Sequence, residues 1–392
     1  MKMEEWKECK LSDICDYGKD RIEVSSLDNS NYISTENMLP NRAGITTATT
    51  LPTGEYTQSF EIDDTLVSNI RPYFKKIWKA TFSGGCSADV LVFKAKENVS
   101  KEYLYYVLAD DEFFKYSMTT SKGTKMPRGD KTSIMNYPVN LPPLPTQQKI
   151  AAILSSLDDK IELNNKINTN LEQQAQALFK NWFVDFEPFG GKIPEGWKVG
   201  KLSEIADYLN GLAMQKFRPL EEEGLPVLKI KELRQGCCDE SSELCSPSKV
   251  KPEYIIHDGD VIFSWSGSLL VDIWCGGICG LNQHLFKVTS QTYEKWFYYL
   301  WTKHHLDRFI LLAADKATTM GHIKREELDK AEVIIPDDKT YQQLTSVIEP
   351  IIDEIINNRI ENRKLAQIRD ELLPKLMSGE IETNSNIISK EE

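Results

Sequence analysis

Trp6-Lys7-Glu8-Cys9-Lys10-Leu11-Ser12-Asp13-Ile14-Cys15-Asp16-Tyr17 returns 191 residues later as Trp197-Lys198-Val199-Gly200-Lys201-Leu202-Ser203-Glu204-Ile205-Ala206-Asp207-Tyr208. The matched Trp, Lys, Lys, Leu, Ser, Ile, Asp and Tyr make this an internal duplication, which sets the fold before any single element does. Later stations keep the register with small drifts. Asp64-Thr65-Leu66-Val67-Ser68 meets Asp260-Val261-Ile262-Phe263-Ser264, Tyr105-Tyr106 meets Tyr298-Tyr299, and Met126 meets Met320. Leu141-Pro142 meets Ile335-Pro336, and Gln147-Gln148 meets Gln342-Gln343, so the repeat covers nearly the whole chain of 392 residues.

Each copy opens with short β-like runs bounded by Gly, Pro, Asn and Asp, such as Thr65 to Ile70, Val90 to Lys94, Asp260 to Ser264 and His284 to Val288. These read as a mixed α/β module. Each copy then passes a proline-bearing exit, Leu141-Pro142-Pro143-Leu144-Pro145 or Ile335-Pro336-Asp337-Asp338, and turns helical. Proline ends a strand and suits the first helical turn. Gly190-Gly191-Lys192-Ile193-Pro194-Glu195-Gly196 reads as the linker between copies. The expected organisation is α+β: a first module over 1–145, a helix over 146–188, a second module over 189–338 with the linker at its start, a second helix over 339–380, and a disordered tail over 381–392.

The first helix carries a seam in steps of four and three: Ile150, Leu154, Leu157, Ile161, Asn164, Asn168, Leu171, Ala175, Leu178, Trp182. Moving each by 194 gives Leu344, Ile348, Ile351, Ile355, Asn358, Asn362, Leu365, Arg369, Leu372 and Leu376. Such spacing marks a coiled coil, although two amphipathic helices packed separately on their own modules would share it. The asparagines favour pairing, because a polar seam residue costs stability and is explained by fixing register. Antiparallel helices would set Asn164 against Asn362 and Asn168 against Asn358, with a pseudo-two-fold relation between the modules. From Ile150 to Trp182 such a rod spans about 48 Å at the usual helical rise. That exceeds one turn of B-DNA, about 34 Å.

The formal charge of −12 argues against non-specific coating of nucleic acid, so any DNA site must be a local basic patch. No run is apolar enough for a membrane span, the start lacks a signal-peptide core, and eight irregularly spaced cysteines read as reduced thiols. A cytoplasmic protein without membrane contact is expected. Catalytic signatures are missing: there is no P-loop, and the Pro-Pro at 142–143 lacks the polar and aromatic neighbours of an amine methyltransferase motif. Cys275 and Cys279, or Cys237-Cys238 with Cys245, do not form paired zinc-ligand spacings. The five histidines, His257, His284, His304, His305 and His322, all lie in the second copy. Recognition or assembly is therefore expected, with no catalytic residue and no metal site.

Candidate DNA contacts follow from side-chain chemistry. In the first module Ser68-Asn69-Ile70-Arg71-Pro72-Tyr73-Phe74-Lys75-Lys76 combines Asn69 and Arg71, which can read base edges, with Tyr73 and the phosphate-holding Lys75 and Lys76. The matching place in the second module is Ser264, Trp265 and Ser266, without Arg or Lys. A second cationic stretch, with Lys122, Lys125 and Arg128, aligns with Lys316, Thr319, His322 and Lys324. A solvated loop is the alternative for each.

The helix Gln147-Gln148-Lys149-Ile150-Ala151-Ala152-Ile153-Leu154-Ser155-Ser156-Leu157-Asp158-Asp159-Lys160-Ile161 resembles the central helix of type I restriction-modification specificity subunits. Trp197-Lys198 with Leu202-Ser203-Glu204-Ile205 resembles their domain-start motif, and Gly259-Asp260-Val261-Ile262-Phe263-Ser264 their shared strand. The resemblance implies two target-recognition domains joined by an antiparallel coiled coil. Each domain would read half of a bipartite site in double-stranded DNA, and the coil would set the spacing and dock two methyltransferase subunits. S-adenosylmethionine, ATP and Mg2+ would then belong to partner subunits, among them restriction/motor subunits that hydrolyse ATP, with no cofactor in this chain. The competing readings are a scaffold whose modules bind proteins or peptides, and a nuclease with acidic metal ligands in a cleft.

Overall fold

A computed structural model describes residues 6–219, 223–315 and 323–383, the side chain of Asp315 excepted. The described residues fall into two compact units, those within 1–159 and 366–392, and those within 160–365. The expected tail lies outside the described residues from 384 onward.

In the first unit the chain enters and leaves its module through one antiparallel ribbon, Lys7–Lys10 against Pro138–Leu141. Within it lies a four-stranded antiparallel sheet in the order Cys15–Tyr17, Val90–Ala95, Thr65–Ser68, Ile77–Lys79. Its two inner strands are buried on both faces, which is why they read as unbroken apolar runs. Alternate residues serve different cores. Val67, Leu91 and Phe93 pack with the helices Lys101–Ala109 and Asp111–Thr119, while Leu66, Val90 and Val92 pack with Ile33, Phe60 and Cys86 of a second sheet.

The second unit repeats this plan. Its ribbon pairs Lys198–Lys201 with Glu332–Ile335, and its main sheet runs Asp207–Asn210, Leu285–Thr289, Val261–Ser264, Leu270–Ile273. Val261, Phe263, Phe286 and Val288 face the helical core, whereas Ile262 and Leu285 face Leu228, Ile256 and Leu281.

The long helices are Leu144–Phe183 and Asp338–Ser378. Pro143 accepts the amides of Thr146 and Gln147, and Pro145 sits in the first turn, where its missing N–H is not required. The buried Gln147 receives the Ser100 amide and donates to the Pro142 carbonyl, at 3.0 and 2.8 Å. Its structural counterpart is Tyr341, whose hydroxyl receives the Glu294 amide at 2.7 Å. The alignment of Gln147-Gln148 with Gln342-Gln343 is therefore corrected by one residue, because the helices repeat at 194.

Both units contain parts of both helices, running antiparallel. The first core takes Ile150, Ala151 and Leu154 from the start of one and Leu373 and Leu376 from the end of the other. The second takes Ala175, Phe179 and Phe183 together with Leu344, Ile348, Ile352, Ile355 and Ile356. At the helix ends the buried stripe turns by one residue: Phe179, Phe183 and Leu373 are buried, whereas Leu178, Trp182 and Leu372 are half-buried. A straight helix drifts against a seven-residue repeat, and here it leaves its partner to pack into a module. Within the second unit Asn164 Nδ2 donates to Asn362 Oδ1 at 2.9 Å, and Asn358 Nδ2 donates to Asn168 Oδ1 at 3.0 Å. Each bond contributes about 1 kcal/mol, but leaving one partner alone costs about 1–3 kcal/mol, so the layers act mainly against a slipped register.

Candidate nucleic-acid interface

In the first module the strand Thr65–Ser68 ends in a turn that the buried Ser68 closes, its hydroxyl donating to the Ile70 carbonyl at 3.2 Å. The backbone then passes through the left-handed region twice, at Arg71 (φ 49°) and Lys75 (φ 50°), on either side of the single 3-10 turn Pro72–Phe74. Asn69 donates its amide to Asp89 O at 2.8 Å, Arg71 donates to Pro127 O at 2.8 Å, and Gly129 donates to Asn69 O at 3.2 Å. Ile70 and Arg128 also form an isolated bridge, as do Lys122 and Arg128. The two cationic stretches, separate in sequence, thus form one surface.

Their side chains differ in availability. Lys75 Nζ lies 2.8 Å from Asp111, Lys122 Nζ 2.5 Å from Asp130, and Arg128 Nη2 3.0 Å from Asp89. Lys122 heads the hydrogen bonds that hold the Asp130 carboxyl down at about 2. Lys76 donates to the Thr35 carbonyl at 2.6 Å, and burial lowers its pKa. These four candidates are internally engaged. Lys125 is exposed, and neither it nor Arg71 is among the ion-paired residues. Tyr73 and Phe74 are exposed, their rings 4.6 Å apart and tilted by 53°. Asn69 is buried against Gly129, with its Oδ1 unpartnered, and Arg71 Nε is likewise buried without a partner.

The second module builds the same station from other residues. Ser264 is fully buried and donates to the Ser268 carbonyl at 2.9 Å, so its side chain holds the turn. Trp265 stands where Asn69 does: its carbonyl receives the Ile323 amide at 3.1 Å, as that of Asn69 receives Gly129. Its indole donates to Asn210 Oδ1 at 2.9 Å and packs on Phe286, ring centroids 5.7 Å apart. Ser266 Oγ lies 3.0 Å from His284 Nδ1. Gly267 takes the place of Arg71, also left-handed at φ 66°. Lys324 is exposed; Lys316, Thr319 and His322 lie outside the described residues.

Sequence reasoning missed Asn210, His284 and Arg234, whose guanidinium donates to Ser268 Oγ. They come from three distant segments, and nothing in their spacing joins them. Among the described residues no group of three or more His, Cys, Asp or Glu could hold a metal ion, and no helix is long and apolar enough to cross a membrane.

Residues 3–173 and 194–369 each match the family described as type I restriction modification DNA specificity domain. The chain is 33% identical over 308 residues to the type I restriction enzyme MjaIX specificity subunit of Methanocaldococcus jannaschii, covering 73% of this chain and 70% of that protein. It is 26% identical to the type I restriction enzyme HindI specificity subunit of Haemophilus influenzae, over 97% of this chain and all of that one. Among solved structures it resembles the type I restriction-modification system S subunit from M. genitalium, with a TM-score of 0.56, 13% identity, and 96% and 97% of the two chains covered.

Proposed function

We propose, from the premise that this chain belongs to the type I restriction-modification DNA specificity family, that it is the recognition subunit of a complex that methylates and cuts double-stranded DNA. The first module reads one half of a bipartite site and the second reads the other. The paired helices set the spacing and dock two methyltransferase subunits. Chemistry resides in those partners and in restriction/motor subunits, which bring S-adenosylmethionine, ATP and Mg2+; this chain supplies none of it. Its place of action is the cytoplasm.

One observation carries this reading: a common scaffold presents different chemistry at the same station. Asn69 and Arg71 stand in one module where Trp265 and Gly267 stand in the other. A left-handed backbone costs a non-glycine residue about 1 kcal/mol, so arginine at a glycine position calls for a compensating role. Its guanidinium can pair bidentately with a guanine edge. Leu163 and Ile167, exposed one turn apart on the first long helix, offer apolar surface to a protein partner.

The test is to co-express the chain with its methyltransferase partner and map methylated adenines across a genome. A motif of two short half-sites at one fixed spacing is expected. Methylation absent, or confined to a single continuous motif, would refute the reading.

A further inference from the structure

We infer that the helix pair carries a charge code: the first long helix supplies carboxylates and the second supplies guanidinium groups, so the first accepts the second and rejects another copy of itself. In the first unit Asp158 Oδ1 accepts from Arg369 Nη1 at 2.7 Å, and Asp158 Oδ2 accepts from the Tyr106 hydroxyl at 2.7 Å. The side chains are largely covered, Arg369 being 10% and Asp158 26% exposed. In the second unit Arg359 Nη2 donates to Glu172 at 2.7 Å, and its Nη1 donates to Asp272 at 2.9 Å. Both interhelical pairs run in one sense, acid on the first helix and arginine on the second. A third, Lys160 with Glu361, runs the other way, but each partner is 45% exposed and such pairs contribute little.

The code becomes visible when each residue is compared with its counterpart 194 positions away. Asp158 corresponds to Ile352, Arg369 to Ala175, Glu172 to Ala366 and Arg359 to Asn165. The asparagine layers, by contrast, are identical in the two helices. Two first helices from different molecules could therefore pair antiparallel with Asn164 against Asn168, and the polar layers would not object. Asp158 would then face Ala175 and Glu172 would face Asn165, leaving both carboxylates without counter-ions. Two second helices would set Arg369 against Ile352 and Arg359 against Ala366, each arginine keeping its own-copy carboxylate, Asp370 or Asp272, at 2.9 Å, so the rejection is carried by Asp158 and Glu172 of the first helix. A covered charge left unpaired is strongly destabilising. The asparagines thus fix register without regard to copy, and the ion pairs add a choice of partner to the one that Phe179 and Phe183 make by entering the second core. The result is that one chain always joins two unlike modules, whatever DNA they read.

The test cuts the folded full-length protein at a protease site placed in the linker over 190–196, then mixes two differently tagged preparations and counts fragment pairs by native mass spectrometry. Wild-type fragments are expected to re-pair as first with second, exceeding like pairs by about a hundredfold. A variant in which each charged residue takes its counterpart's identity, Asp158→Ile, Glu172→Ala, Arg359→Asn and Arg369→Ala, is expected to lower that excess by about tenfold or more, the remaining preference coming from Phe179 and Phe183 in the second core. A polarity-reversed variant, Asp158→Arg and Glu172→Arg with Arg359→Glu and Arg369→Asp, and with Asp272→Asn to remove the carboxylate that would face residue 359, keeps the code. Its fragments should pair with each other and refuse wild-type fragments of the opposite kind. Like pairs abundant in the wild type, an undiminished excess of unlike pairs in the neutralised variant, or free mixing between reversed and wild-type fragments would each overturn the inference.

Discussion

The two modules share one sheet and differ in the other. Their main sheets have the same strand order and direction, but the second sheets grow on opposite flanks. In the first module the central strand Gly84–Cys86 has a parallel neighbour, Tyr32–Ile33, and an antiparallel one, Tyr56–Phe60; the extra strand Arg21–Glu23 joins the antiparallel neighbour. In the second, Cys279–Leu281 also has a parallel neighbour, Leu225–Leu228, and an antiparallel one, Ile255–Ile256, but Leu244–Cys245 joins the parallel neighbour. In the second module the shared sheet is tied to the second long helix, Arg359 donating to Asp272 and to the Ile273 carbonyl. The differing sheet packs against the other face of the first and, in the second module, also against Leu233 and Met214.

The sharpest way to break this comparison is at the helix ends. Phe183 is buried among Trp197, Trp296, Phe297 and Trp301, while its counterpart Met377 only flanks the first core. Phe183→Ala should cost about 3–5 kcal/mol and Met377→Ala about 2 kcal/mol, measured by denaturant unfolding. Equal losses would mean that the two cores depend alike on their visiting helix. In the seam, Asn168→Ala should cost about 1–3 kcal/mol by leaving Asn358 unpartnered, with replacement of both by Leu recovering most of it.

At the recognition stations, Arg71→Gly should leave stability unchanged or raise it by up to about 1 kcal/mol while relaxing the first half-site alone. Trp265→Ala should alter only the second half-site, read by methylation mapping. The smallest effect is with pH. Burial is the main reason His305 is pushed down to about 4, and its imidazole stays neutral, Nε2 donating to the Glu332 carbonyl at 2.8 Å. The unfolded histidine takes up a proton below its ordinary 6.5, so this contribution to stability is full above 6.5 and declines as pH falls toward 4. The first module has no histidine, so amide protection, corrected for the intrinsic exchange rate at each pH, should fall between pH 7 and 5 through this route in the second alone.

Much of this architecture is legible in the sequence because it is repeated. The offset of the opening motif locates the modules, and the seam with its asparagines gives partner, direction and register. What was not legible depends on long-range closure. Lys75, Lys76, Lys122 and Arg128 look free in a list of residues; only the fold brings Asp111, Thr35, Asp130 and Asp89 to them. Likewise, heptad spacing carries no sign that Phe179 and Phe183 leave the seam for an aromatic core, because that turn is set by neighbours far along the chain.

The ribbons at the base of each module have a consequence for inheritance. Chain enters through Lys7–Lys10 and leaves through Pro138–Leu141 side by side, and Lys198–Lys201 with Glu332–Ile335 repeats the arrangement. Everything between is a cassette with adjacent ends. A crossover within the two ribbon-coding stretches would exchange the whole of one module while leaving the seam, its asparagines and the Asp158–Arg369 and Glu172–Arg359 pairs in place.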